Sequence, residues 1–309
     1  MSSNLSSQPG SFAAHLRPVL QRHIGTLYGL AAALIWGGYL AVTNRGIGGG
    51  LGAMDLAFLR YAVAALVLLP VWLRNEPLTF GGLGWAKGLT LALLAGPPFV
   101  IIGAAGFAFA PLAHGAVIQL GTATILGAVL AAFLAREPLS GRQIAALAVV
   151  VAGLAMSAGP DILTGEPGVW RGDILFFAAG AMWALITVLQ RRWRIDPMAA
   201  TASVSVISGL IYTPLYLAGP GLVAFAPLPL TSIACLALML GVLTGIVALY
   251  AFGRAVELLG PARAAVFPAL APAAALLTGA ALGSGLPTLT QAAGLVVLTA
   301  GLVAALCRR

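Results

Sequence analysis

The sequence predicts an all-α membrane protein of ten transmembrane helices, arranged as two inverted five-helix repeats. The first observation is composition: 61% of the 309 residues are hydrophobic and only 8% are charged, against about 25% charged in a typical soluble domain. The second is a series of apolar runs long enough to cross a bilayer. The third is a set of segments that recur in both halves of the chain at a nearly constant offset. Together they argue against a soluble globular enzyme.

Each apolar run is close to the length of a transmembrane helix, which needs about 20 mostly apolar residues. The short connections between the runs hold nearly all of the charged side chains. Prolines inside the runs are tolerated in a bilayer where neighbouring helices or a polar cavity satisfy the freed carbonyls. The runs are 25–43, 53–73, 86–106, 111–134, 142–158, 172–190, 199–218, 232–252, 262–281 and 290–306.

Lysine and arginine set the predicted orientation. With a cytoplasmic N-terminus, 13 of the 16 fall in cytoplasmic segments, Arg45 and Arg171 fall in outer loops, and Arg60 lies within the second helix. Positive charge collects on the cytoplasmic side of membrane proteins, so we expect both termini in the cytoplasm and a bacterial inner membrane as the location. The net charge of +8 then reflects topology, and no basic soluble surface remains to indicate nucleic-acid binding.

The domain boundaries follow from these runs. The first run is longer than the apolar part of a signal peptide, so we expect it to remain as the first helix. The predicted units are a cytoplasmic tail (1–24), a first five-helix repeat (25–158), a periplasmic linker (159–171), a second five-helix repeat (172–306) and a cytoplasmic C-terminus (307–309).

The internal repeat rests on matched segments. Residues 25–36 read GTLYGLAAALIW and residues 172–183 read GDILFFAAGAMW, at an offset of 147. Residues 142–158 resemble residues 290–306 at an offset of 148. Because five helices are an odd number, the second half enters the membrane from the opposite side. In transporters built this way, the substrate site lies near the midplane where the repeats meet.

Several different short motifs follow one another along residues 25–306. They are Trp36-Gly37-Gly38 in the first helix, Phe58-Leu59-Arg60-Tyr61-Ala62 in the second, Arg136-Glu137-Pro138-Leu139-Ser140 after the fourth, and Phe267-Pro268-Ala269-Leu270-Ala271-Pro272 in the ninth. In this order they resemble the drug/metabolite transporter superfamily, in its EamA-type branch. One departure is the segment from Gln119 to Thr122, where the family usually has a proline.

The resemblance implies a secondary transporter that exports small organic metabolites by alternating access around a midplane cavity. Amino acids, aromatic ones included, are the expected substrates; cationic drugs, other drugs or nucleosides are the alternative within the same fold. We expect a monomer in the lipid bilayer that binds a small-molecule substrate and needs no cofactor. No metal site is expected either, since Cys235 and Cys307 show no metal-ligand spacing.

Polar side chains inside the membrane are candidates for the cavity, because ionisable groups are costly there. Arg60 either snorkels outward or pairs with Asp55, or it meets a substrate carboxylate. His114 either bonds to a backbone carbonyl or has a proton-linked or gating role, since histidine titrates near neutral pH. Gln119 lies at the edge of the same helix face as His114.

Aromatic side chains complete the predicted cavity. Trp36 and Tyr39 share a face of the first helix, and Trp183 and Thr187 share a face of the sixth. Trp36 and Trp183 are equivalent in the repeat, so they are expected at comparable depths. They either line a cavity suited to apolar, aromatic or cationic groups, or pack within the bundle and at its interfaces. The remaining candidates are Phe99 and Tyr250.

The positions of the carboxylates predict the energetics. None of the acidic residues lies at a helix centre, whereas many proton-driven pumps use a buried Asp or Glu relay. We therefore expect a uniport-like or weakly coupled carrier. A channel would show a filter or charged rings, and a hydrolase would need a nucleophile beside a base. The sequence has neither pattern, so we expect no enzymatic activity.

Overall fold

The computed structural model describes residues 10–74, 84–134, 141–158, 167–259, 267–283 and 285–306. Within these ranges every regular element is helical. Three sequence predictions lie wholly or mostly outside them: the Arg136–Ser140 turn, most of the 159–171 linker, and the 307–309 terminus.

The helices follow the apolar runs. Their bounds are α1 (Gly10–Gly48), α2 (Ala53–Arg74), α3 (Trp85–Ala95), α4 (Pro97–Gly106), α5 (Leu112–His114), α6 (Leu120–Leu134), α7 (Gly141–Ala158), α8 (Val169–Trp193), α9 (Pro197–Ala218), α10 (Leu230–Ala237), α11 (Ala248–Leu259), α12 (Ala271–Ala281) and α13 (Leu289–Leu306). Two π-helical segments, Gly115–Gln119 and Leu238–Val247, join α5 to α6 and α10 to α11. Single 3-10 turns lie at Val223–Phe225 and Phe267–Leu270.

Seven helical stretches in the described part are long and apolar enough to cross a membrane. Three shorter apolar helices, Ile144–Gly153, Ala271–Ala281 and Leu289–Gly301, accompany them. The prediction of an α-helical membrane protein is confirmed. The first apolar run was predicted from residue 25, and the helix that contains it is longer: α1 begins at Gly10, because helical geometry continues through polar residues that a hydropathy criterion leaves out.

Three of the membrane helices are interrupted. Gly96 separates α3 from α4, because Pro97 and Pro98 lack the amide hydrogens that would continue the ladder. The other two interruptions are the π-helical segments, which insert an extra residue into the helical turn and recur at functional sites. All three change the direction in which the side chains after them point.

Small residues allow the helices to pack closely, as is usual in membranes. A Cβ added at Gly37 would lie 2.6 Å from the backbone nitrogen of Ala275, and one at Gly153 would lie 2.3 Å from that of Leu298. These contacts bring α1 against α12 and α7 against α13. The other main pairings are α1 with α11, α8 with α4 and α6, and α2 with α9.

We call the end of the bundle at which α1 ends, at Gly48, the far end, and the opposite end the near end. Arg45, in the last turn of α1, donates a hydrogen bond to the carbonyl oxygen of Leu282, directly after α12. The ends of α1 and α12 therefore meet at the far end.

Candidate functional site

Arg60 is a buried cation inside the membrane region. Its residue is only 7% exposed, and its guanidinium lies 5.1 Å from the ring centre of Tyr39 and 5.7 Å from that of Tyr61. Ring faces carry negative electrostatic potential and attract a guanidinium at such distances. Helix α1 therefore supplies one face of the Arg60 site, and α2 supplies the other.

The pairing of Arg60 with Asp55 is absent from the structure. Asp55 instead accepts hydrogen bonds from the amide of Gly52 at 2.7 Å and from the hydroxyl of Tyr216 at 2.5 Å. Among the described residues, none of the ion pairs includes Arg60. Aromatic rings hold this guanidinium without neutralising it, so the site is chemically suited to an anionic group.

Tyr61 connects the Arg60 site to the break between α3 and α4. Its hydroxyl donates a 2.5 Å hydrogen bond to the carbonyl of Ala95, the last residue before Gly96. Pro97 and Pro98 lack the amide hydrogens that the carbonyls of Leu93 and Leu94 would accept in a continuous helix, so Tyr61 bonds to the backbone where the ladder is interrupted. Tyr61 is not among the site residues predicted from the sequence, although a tyrosine beside an intramembrane arginine is a signal that could have identified it.

Two predicted aromatic residues form a wall beside Tyr61. The rings of Phe99 and Trp183 lie 5.5 Å apart with a 33° interplanar angle. Both pack in one apolar cluster with Tyr61 and Ala179. Phe99 lies in the first turn of α4, directly after the break, and its ring packs towards α8. This wall is large and apolar, as a hydrophobic or aromatic side chain requires.

Gln119 lies at the end of the first π-helical segment and is 6% exposed. Its Oε1 is buried and has no hydrogen-bond partner within the described structure. A Cβ added at Gly103 would lie 3.2 Å from this oxygen and 3.5 Å from the Cβ of Ala179, so Gln119 reaches the cluster of the aromatic wall. An unpaired buried acceptor costs about 1–3 kcal/mol, and a ligand donor would remove that cost.

The other predicted site residues lie elsewhere. Trp36 packs against Phe252 of α11 at 5.3 Å. Tyr250 is exposed and meets Tyr28 edge-on at 6.2 Å. Thr187 is exposed, and its hydroxyl donates to the carbonyl of Trp183 in its own helix. The structure brings Tyr39, Arg60, Phe99, Gln119 and Trp183 into one connected region and leaves these three outside it.

His114 has a partner that sequence analysis missed. Its Nδ1 lies 2.8 Å from Oδ1 of Asp173, with the histidine side chain 2% exposed and the aspartate side chain 24% exposed. Both residues lie within the first few positions of their helices, α5 and α8, so their equal depth at the far end was a usable signal. The partner is thus a carboxylate of another helix and not a backbone carbonyl.

The described residues hold no group of three or more His, Cys, Asp or Glu that could hold a metal ion. The Arg60 region offers binding groups: a cation, a free acceptor and an aromatic wall. Such an arrangement can hold a zwitterion with an apolar side chain.

The fold has a counterpart among solved structures. A crystal structure described only as that of a protein matches 91% of this chain and 96% of its own chain, with a TM-score of 0.64 and 20% sequence identity. At that identity the likeness shows the fold alone. Comparison with curated proteins gives no significant match.

The sequence matches the model of the EamA-like transporter family twice, over residues 23–159 and over residues 170–307. These two matches cover nearly the whole chain. They agree with the resemblance seen in the motifs, and with a helical bundle long and apolar enough to cross a membrane. The chain therefore belongs to the EamA-like transporter family.

Proposed function

We propose that this multi-pass membrane transporter exports amino acids, with a preference for apolar and aromatic side chains. The observation that carries the proposal is Arg60, a buried guanidinium stacked on Tyr39 and Tyr61 with no ion-pair partner in the described structure. A substrate carboxylate would supply the missing negative charge through charge-assisted hydrogen bonds.

The neighbouring groups support the remaining parts of an amino acid. The unpaired Oε1 of Gln119 can accept a hydrogen bond from a substrate ammonium group. The Phe99–Trp183 wall can receive the side chain, because aromatic rings bury large apolar area. A cationic drug fits this region less well, since Arg60 would repel it. We propose no enzymatic role, because the chain matches a transporter family over nearly its whole length.

Ten helices in two inverted repeats are part of the proposal. The two family matches divide the chain into halves. The first helix of each half packs against two helices of the other half. Helix α1 packs on α11 and α12, as α8 packs on α4 and α6. The repeat-equivalent Trp36 and Trp183 each contact a phenylalanine, at 5.3 and 5.5 Å. Such a repeat supports alternating access by a monomer around a site between the halves.

The proposed orientation places the near end in the cytoplasm and the far end outside a bacterial inner membrane. We expect a cysteine at Leu286, which is 87% exposed beyond α12, to react with an impermeant maleimide on intact cells. A cysteine at Leu20, at the near end and 60% exposed, should react only after permeabilisation. Both variants are made in a protein in which the two native cysteines are replaced, Cys235→Ser and Cys307→Ser. The reverse labelling pattern would contradict the orientation, which rests on the positive-inside rule.

The substrate is tested by counterflow in proteoliposomes. We expect vesicles loaded with unlabelled L-phenylalanine to accumulate the labelled amino acid, and expect a quaternary ammonium dye and uridine to leave that uptake unchanged. Trp183→Ala should lower uptake by up to about tenfold, because an aromatic pair contributes about 0.5–1.5 kcal/mol beyond the area that it buries.

The matched control is Trp170→Ala, which removes an exposed tryptophan from the start of the same helix. It should leave uptake within about twofold of the wild-type rate.

Counterflow of the dye or of uridine, with none for any amino acid, would contradict the proposed substrate class. Transport unaltered in the Trp183 variant would refute the aromatic wall as part of the site. Uptake without a proton gradient would support the weakly coupled carrier predicted from the sequence.

A further inference from the structure

Among the described residues, four polar contacts join the two family-matched halves at the far end. Arg45 binds the carbonyl of Leu282, Tyr212 binds the carbonyl of Met54, Tyr216 binds Asp55, and His114 binds Asp173. In each contact one partner lies in residues 23–159 and the other in residues 170–307. A far end that opens during alternating access has to break contacts of this kind. Of these contacts, the His114–Asp173 contact is the one that includes a histidine, the residue type that serves proteins as a pH switch.

The His114–Asp173 contact lies in a closely packed seam. The ring of Phe107 lies 4.8 Å from that of Phe176, and a Cβ at Gly115 would collide with Phe107 at 2.4 Å. A Cβ at Gly172 would meet the Cβ of Ala110 at 2.6 Å. The far end is therefore closed between α8 and the segment that runs from α4 to the π-helical turn.

The segment after His114 has the geometry of a hinge. It passes from α5 into the π-helical turn Gly115–Gln119, and only then into α6. Single π-helical turns inside α-helices recur at functional sites, and hinges are formed by residues at the ends of such elements. A change of this turn would move His114 and Gln119 together. The residue that contacts Asp173 and the residue with the unpaired oxygen, His114 and Gln119, therefore lie on one continuous helical segment.

Few titratable groups face His114. Helices α4 and α12, which pack against its segment, contain none. The titratable residue of α7 is Arg142, at the near end. Helix α1 has Tyr39 and Arg45 towards the far end, and α8 has Arg171 and Asp173. Arg171 is exposed and stacks on Trp170. Asp173 is the charged group in hydrogen-bond contact with the imidazole.

We propose that His114 is a proton-binding site that locks the far end of the transporter. With a proton taken from water, the imidazolium forms a charge-assisted ion pair with Asp173 and holds α8 against the π-helical turn. The neutral imidazole still donates through Nδ1 but lacks the ionic attraction. The half-buried Asp173 gives the proton a route to the buried ring. Loss of the proton allows the far end to open, whichever solute the protein transports.

Acidic conditions favour the imidazolium form of a histidine, and alkaline conditions favour the neutral ring. The ionic part of the lock is therefore stronger at about pH 5.5 than at about pH 8.5, and the far end opens more readily as the pH rises.

Accessibility of a buried cysteine tests the lock without any substrate. In the Cys235→Ser, Cys307→Ser background, Ala110→Cys places the reporter in the seam, where Ala110 is 5% exposed. Leu286→Cys, 87% exposed, corrects for the pH dependence of the maleimide reaction. We expect the ratio of the two labelling rates to rise at least about fivefold from about pH 5.5 to about pH 8.5, a typical allosteric coupling.

Variants separate the lock from general packing. His114→Gln and Asp173→Asn should each give a ratio that no longer changes with pH. His23→Gln, which removes an exposed histidine outside the seam, should keep the wild-type profile. The double variant with the pair exchanged, His114→Asp and Asp173→His, should restore a pH-dependent ratio. It tests the lock even if a single variant does not purify as a monodisperse protein.

A wild-type ratio that does not change with pH would overturn the proposal. So would wild-type profiles in both single variants, since another group would then carry the effect. Because the measurement needs no substrate, failure of amino-acid counterflow leaves it intact. The two proposals can therefore fail separately.

Discussion

Arg60→Met is expected to lower amino-acid counterflow at least about 30-fold, equivalent to about 2 kcal/mol, the lower limit for losing one partner of a buried hydrogen-bonded charge pair. Methionine keeps the length and apolar stem of the side chain and removes the charge. Tyr39 and Tyr61 would retain their packing surface. The expected loss therefore reports on recognition of the substrate carboxylate. Uptake of labelled L-phenylalanine in proteoliposomes measures it.

Lysine and an altered substrate make the test specific. Arg60→Lys should be intermediate, because lysine keeps the charge but cannot offer a planar guanidinium to two rings. L-phenylalaninamide, which lacks the carboxylate, should compete poorly with wild-type uptake. Arg171→Met, at an exposed arginine of the far end, is the matched control and should transport normally. Normal transport by Arg60→Met would show that the arginine is structural.

The membrane fold could be predicted because hydropathy is a local property. A run of about 20 apolar residues is read directly from the chain, and most observed helices follow those runs. The start of α1 was not predictable in this way, since Gly10–Ile24 contains charged and polar residues that continue the helix. The π-helical segments were also missed, because they depend on packing between helices and not on composition.

The site was predictable as a set of residue types but not as a set of contacts. An arginine and a single histidine that lie within apolar runs can be identified from the sequence alone. Their partners are separated by long stretches of chain: Tyr39 from Arg60 by a hairpin, and Asp173 from His114 by 59 positions. Asp55 is near Arg60 in sequence, yet the helix turns it towards Tyr216. Helix rotation and packing decide such pairings, and both are tertiary properties.

Gly180→Ala is expected to destabilise the protein and to reduce counterflow together. The added Cβ would lie 2.5 Å from the carbonyl oxygen of Gln119 and 2.7 Å from the Cβ of Thr122. No side-chain rotation relieves a collision with backbone, so α8 would have to move away from the π-helical turn. Overpacking of this kind costs about 1–3 kcal/mol. Thermal unfolding in detergent should show the loss of stability.

Gly127 provides the matched control for the Gly180 variant. It lies in α6, and a Cβ there meets nothing within 4 Å, so Gly127→Ala should leave stability and uptake unchanged or slightly improved, as alanine is the better helix former. A Gly180 variant as stable as the wild type would mean that α8 can move away from α6 at little cost. If such a variant also transported normally, the position of Gln119 would not depend on the close approach of α8. The proposal that Gln119 binds substrate beside the aromatic wall would then be contradicted.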